Sequence, residues 1–189
     1  MTRRLAICAF CLALGAGVVS AAELAGVRLP DEVTVEGERL ALNGIGLREA
    51  TFLKVDVYVA GLYLQEASTD PRTILESDQI KRVRMEFVYK KVERKKLVAA
   101  WDEGLEANAG DHMDELRGSL DRLNGWMETL VRGDSMTFTA IPGKGLEVRV
   151  KGEPRGWIED EAFARHFWSI WLGPKPPNEG LKRGLLGLD

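Results

Sequence analysis

Cysteine is scarce in this chain of 189 residues, and both copies, Cys8 and Cys11, sit near the N-terminus. Histidine is as scarce, with His112 and His166 alone. No HExxH pair and no tight carboxylate cluster surrounds either one, so both read as surface or interface residues rather than metal ligands. No GxSxG elbow is present. Gly143-Lys144-Gly145 lacks the following Ser or Thr and the helix that a phosphate loop requires. The formal net charge is -3, and mild acidity argues against nucleic acid, which favours basic patches. No cofactor and no metal is expected.

The cysteines lie in a segment with its own pattern. Arg3 and Arg4 precede an uncharged apolar run from Leu5 to Val19, closed by Ser20-Ala21-Ala22. That order is a basic n-region, an h-region and a small-residue cleavage site, so residues 1–22 read as a signal peptide cleaved after Ala21 or Ala22. The run is short for a membrane span, which needs about 20 apolar residues. Cleavage would remove every cysteine, and with it disulfide, thiol-nucleophile and Cys-ligated metal chemistry. It would also remove two arginines and make the chain more acidic. The expected product is one soluble domain, residues 23–189, exported to a bacterial periplasm, with no transmembrane segment left.

Within that domain the hydrophobic period changes along the chain. Val33–Glu36 and Leu40–Leu42 flank Gly37-Glu38 as a hairpin, and Asn43-Gly44-Ile45-Gly46 reads as a bend. Phe52 to Leu64 reads as a long central strand. Asp70-Pro71 marks a loop. Lys81 to Lys90 alternates as a strand, with Val83, Met85, Phe87 and Tyr89 on one face. Leu97, Val98, Trp101 and Leu105 then fall on one helix face. Gly110 ends that helix and Asp111 is placed to cap the next, whose stripe runs from Met113 to Leu130. Residues 135–151 form a hairpin. Asp160 caps a third helix that Gly173 stops, and a short helix closes the chain. This order predicts an α+β fold with helices packed on a largely antiparallel sheet.

Several charged and aromatic residues keep two readings. Lys90, Lys91, Arg94, Lys95 and Lys96 form either a solvated helix start or a docking surface for anionic lipid or an acidic partner. Of the tryptophans, Trp101 and Trp171 take core positions, while Trp168 can line a cavity or a partner surface.

The stretch NGIGLREATFLKVDVYVAGLYL, Asn43 to Leu64, carries the most specific signal. Gly44-Ile45-Gly46-Leu47-Arg48, followed by a strand ending Gly61-Leu62-Tyr63-Leu64, resembles the chalcone isomerase family. Residues 93–105 resemble its first long helix. Phe163 to Gly173 with Pro174 to Leu185 resembles its closing helices. The resemblance implies an open-faced β-sandwich, a large antiparallel sheet covered by a layer of helices, with a ligand cleft between. It also implies a choice of functions. Plant members isomerise chalcones by intramolecular conjugate addition, plastid members bind fatty acids, and others assist without catalysing.

Arg48 matches the family's cleft arginine, which stabilises enolate charge in the enzymes and pairs with the carboxylate in the fatty-acid binders. Tyr58 falls where the enzymes carry threonine and the fatty-acid binders tyrosine. The enzymes also carry a tyrosine and an asparagine seven residues apart on the helix matching 93–105. Between Lys91 and Gly110 this chain has no tyrosine, and its only asparagine is Asn108. The resemblance therefore implies a non-catalytic binder of a fatty acid or similar amphipathic carboxylate, held by Arg48 and Tyr58. An isomerase using Arg48, and an envelope scaffold or interaction protein, are the alternatives. On the residues alone, Arg48 can equally pair with Glu49 or Asp56, and Tyr58 can be a core tyrosine.

Overall fold

The computed structural model describes residues 21–50 and 53–189, so the expected signal peptide lies almost entirely outside the described residues. The chain opens with two short strands, β1 (Ala21–Leu24) and β2 (Val27–Pro30), paired as a hairpin. Cleavage after Ala21 or Ala22 would fall within β1.

β3 (Glu32–Val35), β4 (Glu38–Ala50) and β5 (Val55–Leu64) follow. After α1 (Pro71–Glu76) come β6 (Lys81–Phe87) and the short β7 (Lys91–Val92). α2 (Arg94–Ala109) and α3 (Met113–Gly125) lead to β8 (Leu130–Val131), which pairs with β7. β9 (Ser135–Ile141), β10 (Gly145–Val150) and β11 (Glu153–Ile158) complete the strands. α4 (Glu161–Phe167), α5 (Ser169–Leu172) and α6 (Glu179–Leu185) end the chain.

Seven strands form one sheet in the order β11-β10-β9-β6-β5-β4-β3, and every neighbouring pair is antiparallel. β5 sits inside the sheet and is buried without a break from Tyr58 to Leu64. That position explains why its second half is apolar on both faces. On one face, Tyr58, Ala60 and Leu62 join Val83, Met85, Phe87, Phe138 and Val148 under the helices. On the other, Leu40, Tyr63 and Ile141 form a smaller cluster. Tyr63 ties that face to β2 by donating its hydroxyl to Pro30 O at 3.0 Å.

The helix layer brings aromatic rings together. Trp101 of α2 packs on Phe138, Phe167 and Trp171 at centroid distances of 5.6, 6.1 and 5.8 Å. Burying each such side chain contributes about 1.5–3 kcal/mol, with further gain from tilted and edge-on ring geometry. Trp168 joins this core at 1 % exposure.

Several sequence expectations are corrected. Asn43–Gly46 is not a bend: β4 runs straight through it, with a register shift between Leu42 and Gly44 that leaves Asn43 outside the ladder. Asn43 uses that freedom as a clamp, donating to Leu185 O at 2.9 Å and accepting from Ser68 N at 2.8 Å. Asp70-Pro71 starts a helix, with Asp70 capping Arg72 and Thr73 and Pro71 at the first position, where proline is tolerated. Asp111 does not cap α3; it sits in a 3-10 turn, and α3 follows without a side-chain cap. Met127 and Leu130 lie beyond α3, where Met127 Sδ instead accepts the Trp101 indole N–H at 3.2 Å. β11 is an additional strand. Asp160 does cap α4, accepting from Phe163 N at 3.0 Å.

Candidate functional site

The Gly-x-Gly-x-Arg spacing has a structural meaning. In an extended strand, alternate side chains share a face. Gly44, Gly46 and Arg48 are such a set, paired with Leu62, Ala60 and Tyr58 of β5 on the helix face. α6 settles onto the two glycines. A Cβ on Gly46 would stand 2.5 Å from Leu181 O, and one on Gly44 would stand 2.7 Å from Leu185 O. Arg48 follows, at the end of β4 where α6 begins.

Arg48 stands directly opposite Tyr58 in the ladder, and the register shifts just beyond it. The arginine is half-buried. Its Nη1 donates to the Glu49 backbone carbonyl and to Asn178 Oδ1, the latter at 3.5 Å. Among the described residues it forms no ion pair with Glu49 or Asp56. Asn178 precedes α6, but its side chain does not cap that helix. It turns to β4, where Nδ2 donates to Leu47 O at 3.1 Å.

Tyr58 is buried among aromatic side chains. Its ring packs on Phe87 at 5.6 Å, and its hydroxyl accepts the Trp171 indole N–H at 3.2 Å. The hydroxyl hydrogen has no acceptor among the described residues. Burial pushes the phenol up to about 12, against the opposing pulls of the Trp171 hydrogen bond and the Arg48 charge. Tyr58 is therefore a neutral hydroxyl at physiological pH. It can donate one hydrogen bond, and it is not poised as a base.

Trp171 and Asn178 complete this cluster. Sequence spacing placed Trp171 in the core but not on the Tyr58 hydroxyl, and it gave Asn178 no role. Asn108, the asparagine of α2, is committed elsewhere. Its Nδ2 donates to Gly104 O and Lys175 O, and its Oδ1 accepts from Lys175 N at 2.9 Å. It holds the loop after Gly173 against α2.

The other candidates resolve separately. Arg94 of the basic cluster is a clamp, donating to Met127 O and Asn124 O, both at 2.9 Å, where α3 ends. Lys95 pairs with Glu93, while Lys90, Lys91 and Lys96 are exposed. His112 and His166 meet on the surface, with ring centroids 4.7 Å apart. Among the described residues no three His, Cys, Asp or Glu side chains group to hold a metal, and no helix is long and apolar enough to cross a membrane. Trp168 lines a cavity of about 250 Å³, whose walls include neither Arg48 nor Tyr58.

No curated protein matches the sequence significantly. Among solved structures, a fatty-acid binding protein of Arabidopsis thaliana has the same fold, with a TM-score of 0.69 and 18% sequence identity. The alignment covers 88% of this chain and 96% of that one. The family model described as chalcone isomerase-like matches residues 21–187. Because that match runs through every strand and helix from β1 to α6, the chain belongs to the chalcone isomerase-like family.

Proposed function

We propose that this protein is an exported, non-catalytic binder of a fatty acid or similar amphipathic carboxylate. The observation that carries the reading is the Arg48–Tyr58 pair. A guanidinium and a hydroxyl with an unused hydrogen face the same way from adjacent strands. A carboxylate offers acceptors for both, and arginine keeps its charge when half-buried. The hydrocarbon tail would lie along Ala60 and Leu62, where apolar walls meet a few polar groups. Trp171 and its aromatic neighbours would swing aside to admit it. The Arabidopsis thaliana structural neighbour is itself named for fatty-acid binding, which agrees with this ligand class.

The test is native mass spectrometry of protein taken from the periplasm without detergent, followed by titration with palmitate. A bound fatty acid and saturable uptake are expected. Arg48→Ala should weaken uptake about tenfold or more, the scale of one charge-assisted hydrogen bond. Empty protein with no palmitate affinity would sink the reading. N-terminal sequencing of the periplasmic material should start at Ala22 or Glu23, whereas an intact Met1 there would remove the cleavage claim and recovery only from the cytoplasm would remove the export claim.

A second reading rests on the packing beside Tyr58. Phe87, Trp101, Phe138, Phe167 and Trp171 fill the space between sheet and helices. A protein that keeps the fold but uses its outer surface to bind partners would look like this. It predicts that palmitate leaves the indole environments unchanged.

A further inference from the structure

Lys81 opens β6 and pairs with Leu64 and Ala140. It shares the helix face with Met85 and Phe87, at the end of the sheet away from Arg48. Tyr58 pairs with Phe87, six residues further along β6, which is about 20 Å of strand. Lys81 is only 4 % exposed, and it makes no ion pair among the described residues. Its Nζ donates a hydrogen bond to Ser77 O at 2.6 Å. Lysine is almost never this buried unless it is paired, because an unpaired buried charge is costly.

The cavity of about 250 Å³ lies here, between the α1–β6 loop, the β9–β10 turn and α4. By volume it holds roughly eight waters, or a ligand on the order of ten non-hydrogen atoms. Its apolar walls are Ile141, Pro142, Ala164 and Trp168. The Trp168 indole N–H is buried and has no acceptor among the described residues. Arg165 stands at the mouth, exposed, with no hydrogen bond or ion pair among the described residues. Asp78 and Glu161 also line the site, but both are exposed at the rim. The buried charge is therefore positive, and the acids face water.

We propose that this cavity is a second ligand site, separate from Arg48 and Tyr58, for a small organic carboxylate with a compact apolar body. Lys81 receives the carboxylate and Arg165 closes over it from the mouth. The apolar body lies against Ile141, Pro142 and Trp168. A phosphate dianion fits less well, because the rim acids repel the second charge and the apolar walls would face nothing.

The test uses nitrogen-15-labelled protein titrated with benzoate, with chloride at equal ionic strength as the reference. The five indole N–H signals are followed, and the Trp168 signal is identified with Trp168→Phe. Benzoate should shift that signal saturably, and Lys81→Met should weaken binding about tenfold or more. Arg165→Ala changes only an exposed side chain and should weaken binding about threefold. Arg39→Ala removes a surface cation elsewhere and should change nothing. Binding that is equal in wild type, Lys81→Met and Arg165→Ala overturns the proposal, as does a Trp168 signal that does not move.

Discussion

Gly44 of β4 and Gly184 of α6 meet backbone to backbone, with no room for a side chain on either. A Cβ on Gly44 would stand 2.7 Å from Gly187 N, and one on Gly184 would stand 2.7 Å from Gly46 Cα. This seat does more than pack a helix. It sets where α6 starts, and so brings Asn178 onto Leu47 and Arg48. The glycines and the arginine of Gly44-x-Gly46-x-Arg48 are thus one device. Two positions let the helix down onto the strand, and the third emerges beside its first turn.

Gly44→Ala should accordingly destabilise the fold by about 2–4 kcal/mol, because the obstructing atoms are backbone and cannot rotate away. Gly118→Ala is the contrasting case. Gly118 lies exposed within α3, and a Cβ there meets nothing within 4 Å. It should stabilise by about 0.5–1 kcal/mol through helix propensity. Urea unfolding of the two variants checks both signs. Equal effects would show that the close approach of α6 is not what the glycine serves.

The Trp171–Tyr58 hydrogen bond makes a second prediction. Tyr58→Phe leaves a buried indole N–H without an acceptor, which costs about 1–3 kcal/mol. Trp171→Phe removes the donor and opens space as well. A double-mutant cycle with Tyr58→Phe and Trp171→Phe should return a coupling of about 1 kcal/mol. Additive losses would mean that the bond contributes nothing.

Alkaline titration should report the burial of Tyr58 and Tyr63. Burial pushes both Tyr58 and Tyr63 up to about 12. An unfolded tyrosine ionises near pH 10. Between about pH 10 and 12 the folded chain therefore holds protons that the unfolded chain has lost, and stability falls as pH rises. Phenolate absorbance should show these two residues ionising only near pH 12 or on unfolding, and the Tm should decline from about pH 10 upward. Full ionisation near pH 10 with the fold intact would contradict their burial.

What the sequence displayed, and what it hid, follows from range. The alternation of Val83, Met85 and Phe87 and the helical spacing of Leu97, Trp101 and Leu105 are local, and all six are buried. β11 was hidden because Pro154 and Gly156 are poor strand residues. They are tolerated because β11 is an edge strand with β10 on one side only. Asn43–Gly46 suggested a bend because glycine permits one, yet Gly44 and Gly46 serve close approach to α6. The stripe of α3 ran on to Leu130 in the sequence because Met127 and Leu130 are also buried, although by other contacts. Arg48 and Tyr58 stood out through family resemblance. Their exact opposition depends on register shifts that no periodicity reveals. Trp171 lies 113 residues from Tyr58, and nothing local announces their bond.

Lys81→Met tests whether the buried lysine of the cavity is held at a cost to stability. Burial, the largest influence, pulls the Lys81 amine down to about 8; Asp78 opposes that shift and Arg165 adds to it. In the unfolded chain the amine ionises near 10.4. Below about pH 8 both states carry the proton, and the folded state bears the full penalty of the buried ammonium. Between about pH 8 and 10.4 the unfolded chain binds more protons, so this group's contribution to stability improves as pH rises. Methionine preserves the apolar stem and removes the charge. Lys81→Met should therefore be more stable than wild type at pH 7 by about 1 kcal/mol, with the gain shrinking toward pH 10. Urea unfolding at both pH values measures it. A gain that does not change with pH, or a loss at pH 7, would mean that Lys81 is kept for its bond to Ser77 rather than against its own burial.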